Sequence, residues 1–214
     1  MSACAKSQAV PMSLAAVVAG KPVLVSEIDE REAMVRAGNF ASALPRPGTS
    51  EGRQLRRWLT QLVVAERVLA VEAAARHPDL AGADTEDELL PDTAARLEIG
   101  SVAAAVLATP LARAMFTEVT WAVEVGDEDI AAYYARNPLR FTAKPEVQQQ
   151  GWRAKPVPPA FEQVRDRIAE HLLAAARRRA FRLWLDVRYA ELVELAPGYE
   201  HPGDPRQPDN THQH

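Results

Sequence analysis

The sequence predicts a mainly α-helical protein, a bundle closed by one long C-terminal helix, with a small β arm at the N-terminus. Three observations predict it. Apolar residues recur at three-to-four-residue spacing over residues 50–76 and again from 161 to beyond 187. Most of the prolines gather at 43–47, 145–159 and from 197 onward, where they punctuate these stretches instead of interrupting them. Two short β-prone runs stand together near the start.

The elements follow in order. Residues 14–25 place apolar runs on either side of Gly20-Lys21-Pro22, the pattern of a hairpin or extended arm. Ser26, three residues before Asp29, forms a capping-box variant that opens a helix ending near Gly38. After Leu44-Pro45-Arg46-Pro47-Gly48, Ser50 caps a helix to about Arg76, with Leu55, Trp58, Leu59, Leu62, Val63 and Leu69 on its apolar positions. Pro78 stops it. A third helix is expected from about Pro91 to Ala108, and Pro110, tolerated in a first helical turn, opens a fourth to roughly Val119. Asp127 caps a short helix carrying Ile130, Tyr133 and Tyr134, which Asn137-Pro138 ends.

Residues 142–159, with four prolines, three consecutive glutamines and one glycine, read as an extended linker. The final helix begins near Pro159 and carries Phe161, Val164, Ile168, Leu172, Phe181, Trp184 and Leu185. The organisation is therefore an arm and helical domain over 1–141, a linker over 142–159, a long helix completing the bundle over 160–196, and a His/Pro-rich tail over 197–214 without regular structure.

Composition sets limits on function. With 47% hydrophobic and 25% charged residues in 214, the chain has an ordinary globular balance. A net charge of −4 gives no reason to expect nucleic acid or an anionic membrane, both of which favour a basic surface. Arg177, Arg178, Arg179 and Arg182 spread over more than one helical face and read as solvated. No segment approaches the roughly 20 apolar residues that span a bilayer. The apolar run at 14–19 is short and has only Lys6 ahead of it, unlike a secretory leader. The single cysteine, Cys4, allows no internal disulfide and no thiolate zinc cluster, and a cytoplasmic protein is expected.

Three segments in order, residues 16–30, 127–146 and 161–173, resemble the framework of the SurA/PrsA foldases, the parvulin-containing chaperones. Residues 16–30, with Gly20, Val25-Ser26-Glu27-Ile28-Asp29 and a long helix beyond, are similar to that family's opening. Asp127 to Phe141, with Tyr133-Tyr134, Asn137 and Pro145-Glu146, are similar to its lead-in to the parvulin domain. Phe161 to Leu173 look like the helix by which such a chain returns to its bundle.

The resemblance implies a SurA-like helical bundle, a peptide-binding habit and a last helix packed on the first ones. It also allows a homodimer formed by swapping the arm or the C-terminal helix. It withholds prolyl-isomerase activity, because only the fourteen residues 147–160 stand where a parvulin sheet would be, and they contain no His, Cys or Asp. The expected function is a non-catalytic accessory factor that binds a client polypeptide, which could be an enzyme of a specialised biosynthetic pathway. The expected client-binding residues are Leu59, Leu62, Val63, Trp152, Phe181 and Trp184.

Two other readings stand beside it. One is a small-molecule biosynthetic enzyme on the same scaffold, with His171, His201, Tyr133 and Tyr134 as candidate polar groups. The other is a metal-binding accessory protein in which His201, His212, His214, Asp204 and Asp209 hold a divalent transition metal at the tail. The bland alternatives are a polar tail, an interhelical hydrogen bond for His171, one buried and one exposed ring for Tyr133 and Tyr134, and a cover over the helices for Trp152. Trp58, Trp121 and Trp184 read as core. No phosphate-binding glycine loop, nucleophile elbow, His-Glu-x-x-His or Cys-x-x-Cys occurs.

Overall fold

A computed structural model describes residues 13–39, 41–141 and 158–199. The arm is a hairpin of β1 (Leu14–Val18) and β2 (Lys21–Leu24), antiparallel, turning on Ala19 and Gly20. Both turn residues have positive φ, 47° and 75°, as a two-residue hairpin matched to strand twist requires. Gly20 adopts that conformation without the Cβ penalty that Ala19 bears.

Directly after β2 comes α1 (Val25–Arg36), whose start is fixed by Glu27 Oε1 accepting the Leu24 N–H at 3.0 Å. α2 (Ser50–Arg76) is capped by Thr49, one residue ahead of the expected Ser50; its hydroxyl accepts from Gly52 N at 3.0 Å. Gly52 has no room for a side chain, since a Cβ there would lie 2.3 Å from the Arg46 carbonyl oxygen. That close approach holds the Pro45–Arg46 loop on the first turn of α2.

α2 is the axis of the molecule. Leu59 to Ala65 are buried in unbroken succession, so the helix is covered on every side there. α1 buries only Ile28 and is joined to α2 mainly by charge: Arg31 to Glu66 through two bonds of 2.9 and 2.6 Å, Arg56 to Asp29 and Glu32, and Arg67 to Glu27.

A one-turn helix, α3 (Glu86–Leu89), forms ahead of the expected third helix, which is instead two short ones, α4 (Thr93–Ile99) and α5 (Ser101–Val106). Pro91-Asp92 and Gly100 divide them; Asp92 caps α4, and Gly100, at φ 92°, redirects the chain into α5. α6 (Pro110–Thr120) begins at proline as expected, with Thr109 as its cap. α7 (Asp127–Arg136) follows, and α8 (Phe161–Leu192) is a 32-residue helix, about 48 Å long at 1.5 Å per residue.

The sequence reading missed one strand, β3 (Val193–Leu195). It pairs antiparallel with β1 on the edge opposite β2, giving the order β2-β1-β3. Ala19 N donates to Leu192 O at 2.8 Å and Ala196 N to Ala15 O at 3.0 Å, so the end of α8 is fastened to the arm. The long C-terminal helix thus returns to the N-terminal elements.

The arginine cluster is not simply solvated. Arg178 is buried, its guanidinium paired with Glu98 at 2.9 Å and within 3.4 Å of the Leu89 carbonyl. Arg177 donates to Thr120 Oγ1 at 3.0 Å and lies over the Phe116 ring. Arg179 and Arg182 are exposed.

Candidate functional site

Two hollows open on the main body, one on each side of the α4–α5 break. The first, about 440 Å³, lies between α2, the start of α5 and the C-terminal half of α8. Ala65, Ile99, Val102, Ala103, Leu185 and Leu195 give it apolar walls. Its floor is polar: the Tyr189 hydroxyl donates to Gln61 Oε1 at 2.6 Å, and Gln61 Nε2 donates to Tyr199 O at 3.4 Å. Arg182 and Asp186, exposed and 3.9 Å apart, stand at its rim. The second hollow, about 470 Å³, is lined by Pro45, Glu51, Gln54, Leu55, Trp58, Ser101 and Val102.

Ser101 and Val102 belong to both hollows and form the ridge between them. Trp58 is tied to that ridge, its indole N–H donating to Ser101 Oγ at 3.2 Å. Helix spacing explains how one element serves both sides, since Leu55, Trp58, Gln61 and Ala65 recur every three or four residues along α2.

The polar floor presents hydrogen-bonding groups whose orientation is fixed. Burial raises the Tyr189 phenol far above its ordinary value, and the bond to Gln61 opposes this only in part. A phenol that keeps its proton at neutral pH is a hydrogen-bond donor and not a base. Gln61, a buried amide with both functions engaged, fixes the direction of that donor.

The expected client-binding residues lie elsewhere. Leu59, Leu62, Val63 and Phe181 are buried against the protein's own side chains, so they are core and no groove is made from them in this structure. Trp184 is half-buried, stacked on Phe181 at 5.8 Å with Arg76 over its ring. Trp152 lies outside the described residues, as do His201, His212, His214, Asp204 and Asp209. Among the described residues no group of three His, Cys, Asp or Glu side chains is placed to hold a metal ion.

His171, Tyr133 and Tyr134 come together, but on a separate unit formed by α7 and the first half of α8 around Ile130, Val164 and Ile168. His171 contacts the rings of Tyr133 and Phe141 at 5.5 and 6.3 Å, and takes no hydrogen bond among the described residues in place of the interhelical one expected. Burial lowers its pKa, helped by the Arg140 and Arg178 charges and opposed by Glu98 and Asp92. Both tyrosines are half-buried, not one in and one out; Tyr134 donates to Pro159 O at 2.7 Å and packs on Phe161. Trp121, expected in the core, is 78% exposed, because α6 ends beneath it and turns away.

Sequence reasoning missed Gln61, Ser101, Val102 and Tyr189. One signal was present: Gln61 is an amide at the head of the apolar run Leu62 to Ala65, where a buried polar group must have a partner.

A family of unknown function (DUF7158) matches residues 14–51, the stretch from β1 through α1 to the start of α2. No curated protein and no solved structure matches the chain. No helix among the described residues is long and apolar enough to cross a membrane.

Proposed function

We propose that this chain is a SurA-like accessory factor without prolyl-isomerase activity, which holds an extended segment of a client polypeptide across the two hollows. The observation that carries this reading is the shared Ser101–Val102 ridge. Alternate side chains on one face of an extended chain are about 7 Å apart. A strand crossing the ridge would therefore seat one side chain on the Trp58 side and another on the Leu185 side. Mostly apolar walls give sequence-tolerant affinity, while the polar groups at floor and rim orient the backbone.

The path of the chain supports the same reading. Phe141 and Pro159, which flank residues 142–158, both pack on the α7–α8 unit, through the Tyr133 ring and the Tyr134 hydroxyl. The chain thus leaves and rejoins at one place, as the resemblance implies for a scaffold whose parvulin domain is reduced to a linker. A cytoplasmic location and a dedicated client, such as one biosynthetic enzyme, complete the proposal.

The test is binding of a permanently unfolded, fluorescently labelled polypeptide to the full chain, with Trp58 emission as a second readout. Val102→Glu puts a charge on the ridge at a half-buried position and should abolish binding while leaving the thermal transition in place. Binding that survives Val102→Glu would overturn the assignment of the groove.

A second reading, a small-molecule site in the first hollow, is favoured by the Tyr189–Gln61 pair. Tyr189→Phe separates the two: it would weaken a small ligand held by the phenol and leave polypeptide binding nearly unchanged.

A further inference from the structure

α8 carries an apolar stripe whose later positions, Leu183, Val187 and Ala190, are exposed, while its earlier ones are half-buried. Its core face is set by Arg178, Phe181 and Leu185, all buried. On the opposite side Leu173, Ala176, Ala180, Leu183, Val187 and Ala190 follow one another at spacings of three, four, three, four and three residues. That alternation is the seam of a two-stranded coiled coil, a stripe narrower than a core-facing helix needs. Leu183 is 58% and Val187 50% exposed, and they stand at the middle of the stripe. The alanines on either side would let a second helix approach closely.

The charges beside the stripe are divided along the helix. Arg179 and Arg182 come before its centre, Asp186 and Glu191 after it, and all four are exposed. Glu191 is engaged within the chain by Arg188 at 2.6 Å, but the other three charges are poorly used. Arg182 and Asp186 are 3.9 Å apart with the cation on the N-terminal side, the weaker order for an i, i+4 pair, and Arg179 has no ion pair among the described residues.

We propose that this face of α8 is the contact of a homodimer in which two copies pair antiparallel about a two-fold axis at Leu183. Leu183 then meets the partner's Leu183, Ala176 meets the partner's Ala190, and Ala180 lies within one residue's rise of the partner's Val187. Arg179 and Arg182 flank the partner's Asp186, so every attraction occurs twice, as an isologous interface requires. In a parallel pair these flanks would lie on opposite sides of the seam, so Arg179 would not reach the partner's Asp186. The occupant is a second copy because the stripe is its own charge complement when reversed. This dimer exchanges no element between copies and differs from the swapped one that the family resemblance allows.

The experiment is light scattering of the full-length protein over a range of concentrations at low salt. The expected result is a concentration-dependent dimer that Leu183→Glu with Val187→Glu converts to monomer without changing the far-ultraviolet dichroism or the melting transition, since both side chains are exposed. Asp186→Arg alone should weaken the dimer, and Asp186→Arg combined with Arg179→Glu and Arg182→Glu should restore it.

Orientation is read in a Cys4→Ser background. Ala176→Cys mixed with Ala190→Cys should crosslink, and Ala176→Cys alone should not. The proposal is overturned by a protein monomeric at every concentration, by a dimer indifferent to the Leu183 and Val187 changes, or by crosslinking of Ala176→Cys with itself. A monomeric Leu183→Cys variant that resists labelling would also overturn it, by placing another part of the chain on the stripe.

Discussion

The long helix α8 belongs to two regions that are built differently. Its C-terminal half lies in the main core, where Phe181 is fully buried against Phe116 and stacked on Trp184, and Leu185 packs in the same cluster. Its N-terminal half carries α7 on a cluster that has, among the described residues, three buried side chains, Ile130, Val164 and Ile168, ringed by half-buried aromatics. Apolar burial scales with the area removed from water, so the second region rests on far less. Its polar ties are also at the surface: the Arg165–Asp127 pair, at 2.5 Å, is exposed on both sides and contributes little. A continuous helix can therefore join a firm body to a lightly held one, and local opening is expected first in the latter.

The comparison can be broken most strongly from the main core. Phe181→Ala should cost about 3–5 kcal/mol and destabilise the whole protein, because it empties the junction of α6 and α8. Chemical denaturation should show a lower midpoint by every probe; a change confined to one region would refute the view that Phe181 joins the main body.

Ile168→Ala should cost about 2–5 kcal/mol, but locally. Amide exchange should rise in α7 and the first half of α8 while α2 and β1 keep their protection. Equal loss in all of them would show that the two regions unfold as one.

The smallest effect is a pH dependence carried by His171. Its folded pKa is lowered, chiefly by burial, whereas the unfolded imidazole titrates near about 6.5. As pH falls below that value the unfolded chain binds the proton more readily than the folded one, so stability is lost on acidification and unaffected above it. His171→Phe, which preserves ring packing beside Tyr133, should flatten that part of the pH profile of α7 exchange. An unchanged slope would assign it to the carboxylates.

Much of the fold was legible because its signals are local. Apolar periodicity placed α2 and α8, proline at the first turn placed the start of α6, and Asn137-Pro138 marked the end of α7, although Asp127 is its first residue and not the expected cap, which is Gly126 without a side-chain bond. The candidate site was not legible in the same way. Leu59, Leu62 and Val63 look like one face of an amphipathic helix, but α2 is wrapped on all sides at that level, and the residues left at a surface hollow are the adjacent Leu55, Trp58 and Gln61. Which face of a central helix stays accessible depends on how many neighbours it has, and its own sequence does not record that number.

The sequence by itself determined a mainly helical chain with an N-terminal hairpin and one long closing helix, because helix and turn preferences act over a few neighbouring residues. Tertiary structure alone decided that Val193–Leu195 completes the sheet, since three residues carry no strand signature until β1, far away in the chain, offers its free edge. It also decided that Gly100 breaks the third helix and sets Ser101 and Val102 between two hollows. Those outcomes follow from long-range packing, and their free energy is gained only when distant segments meet.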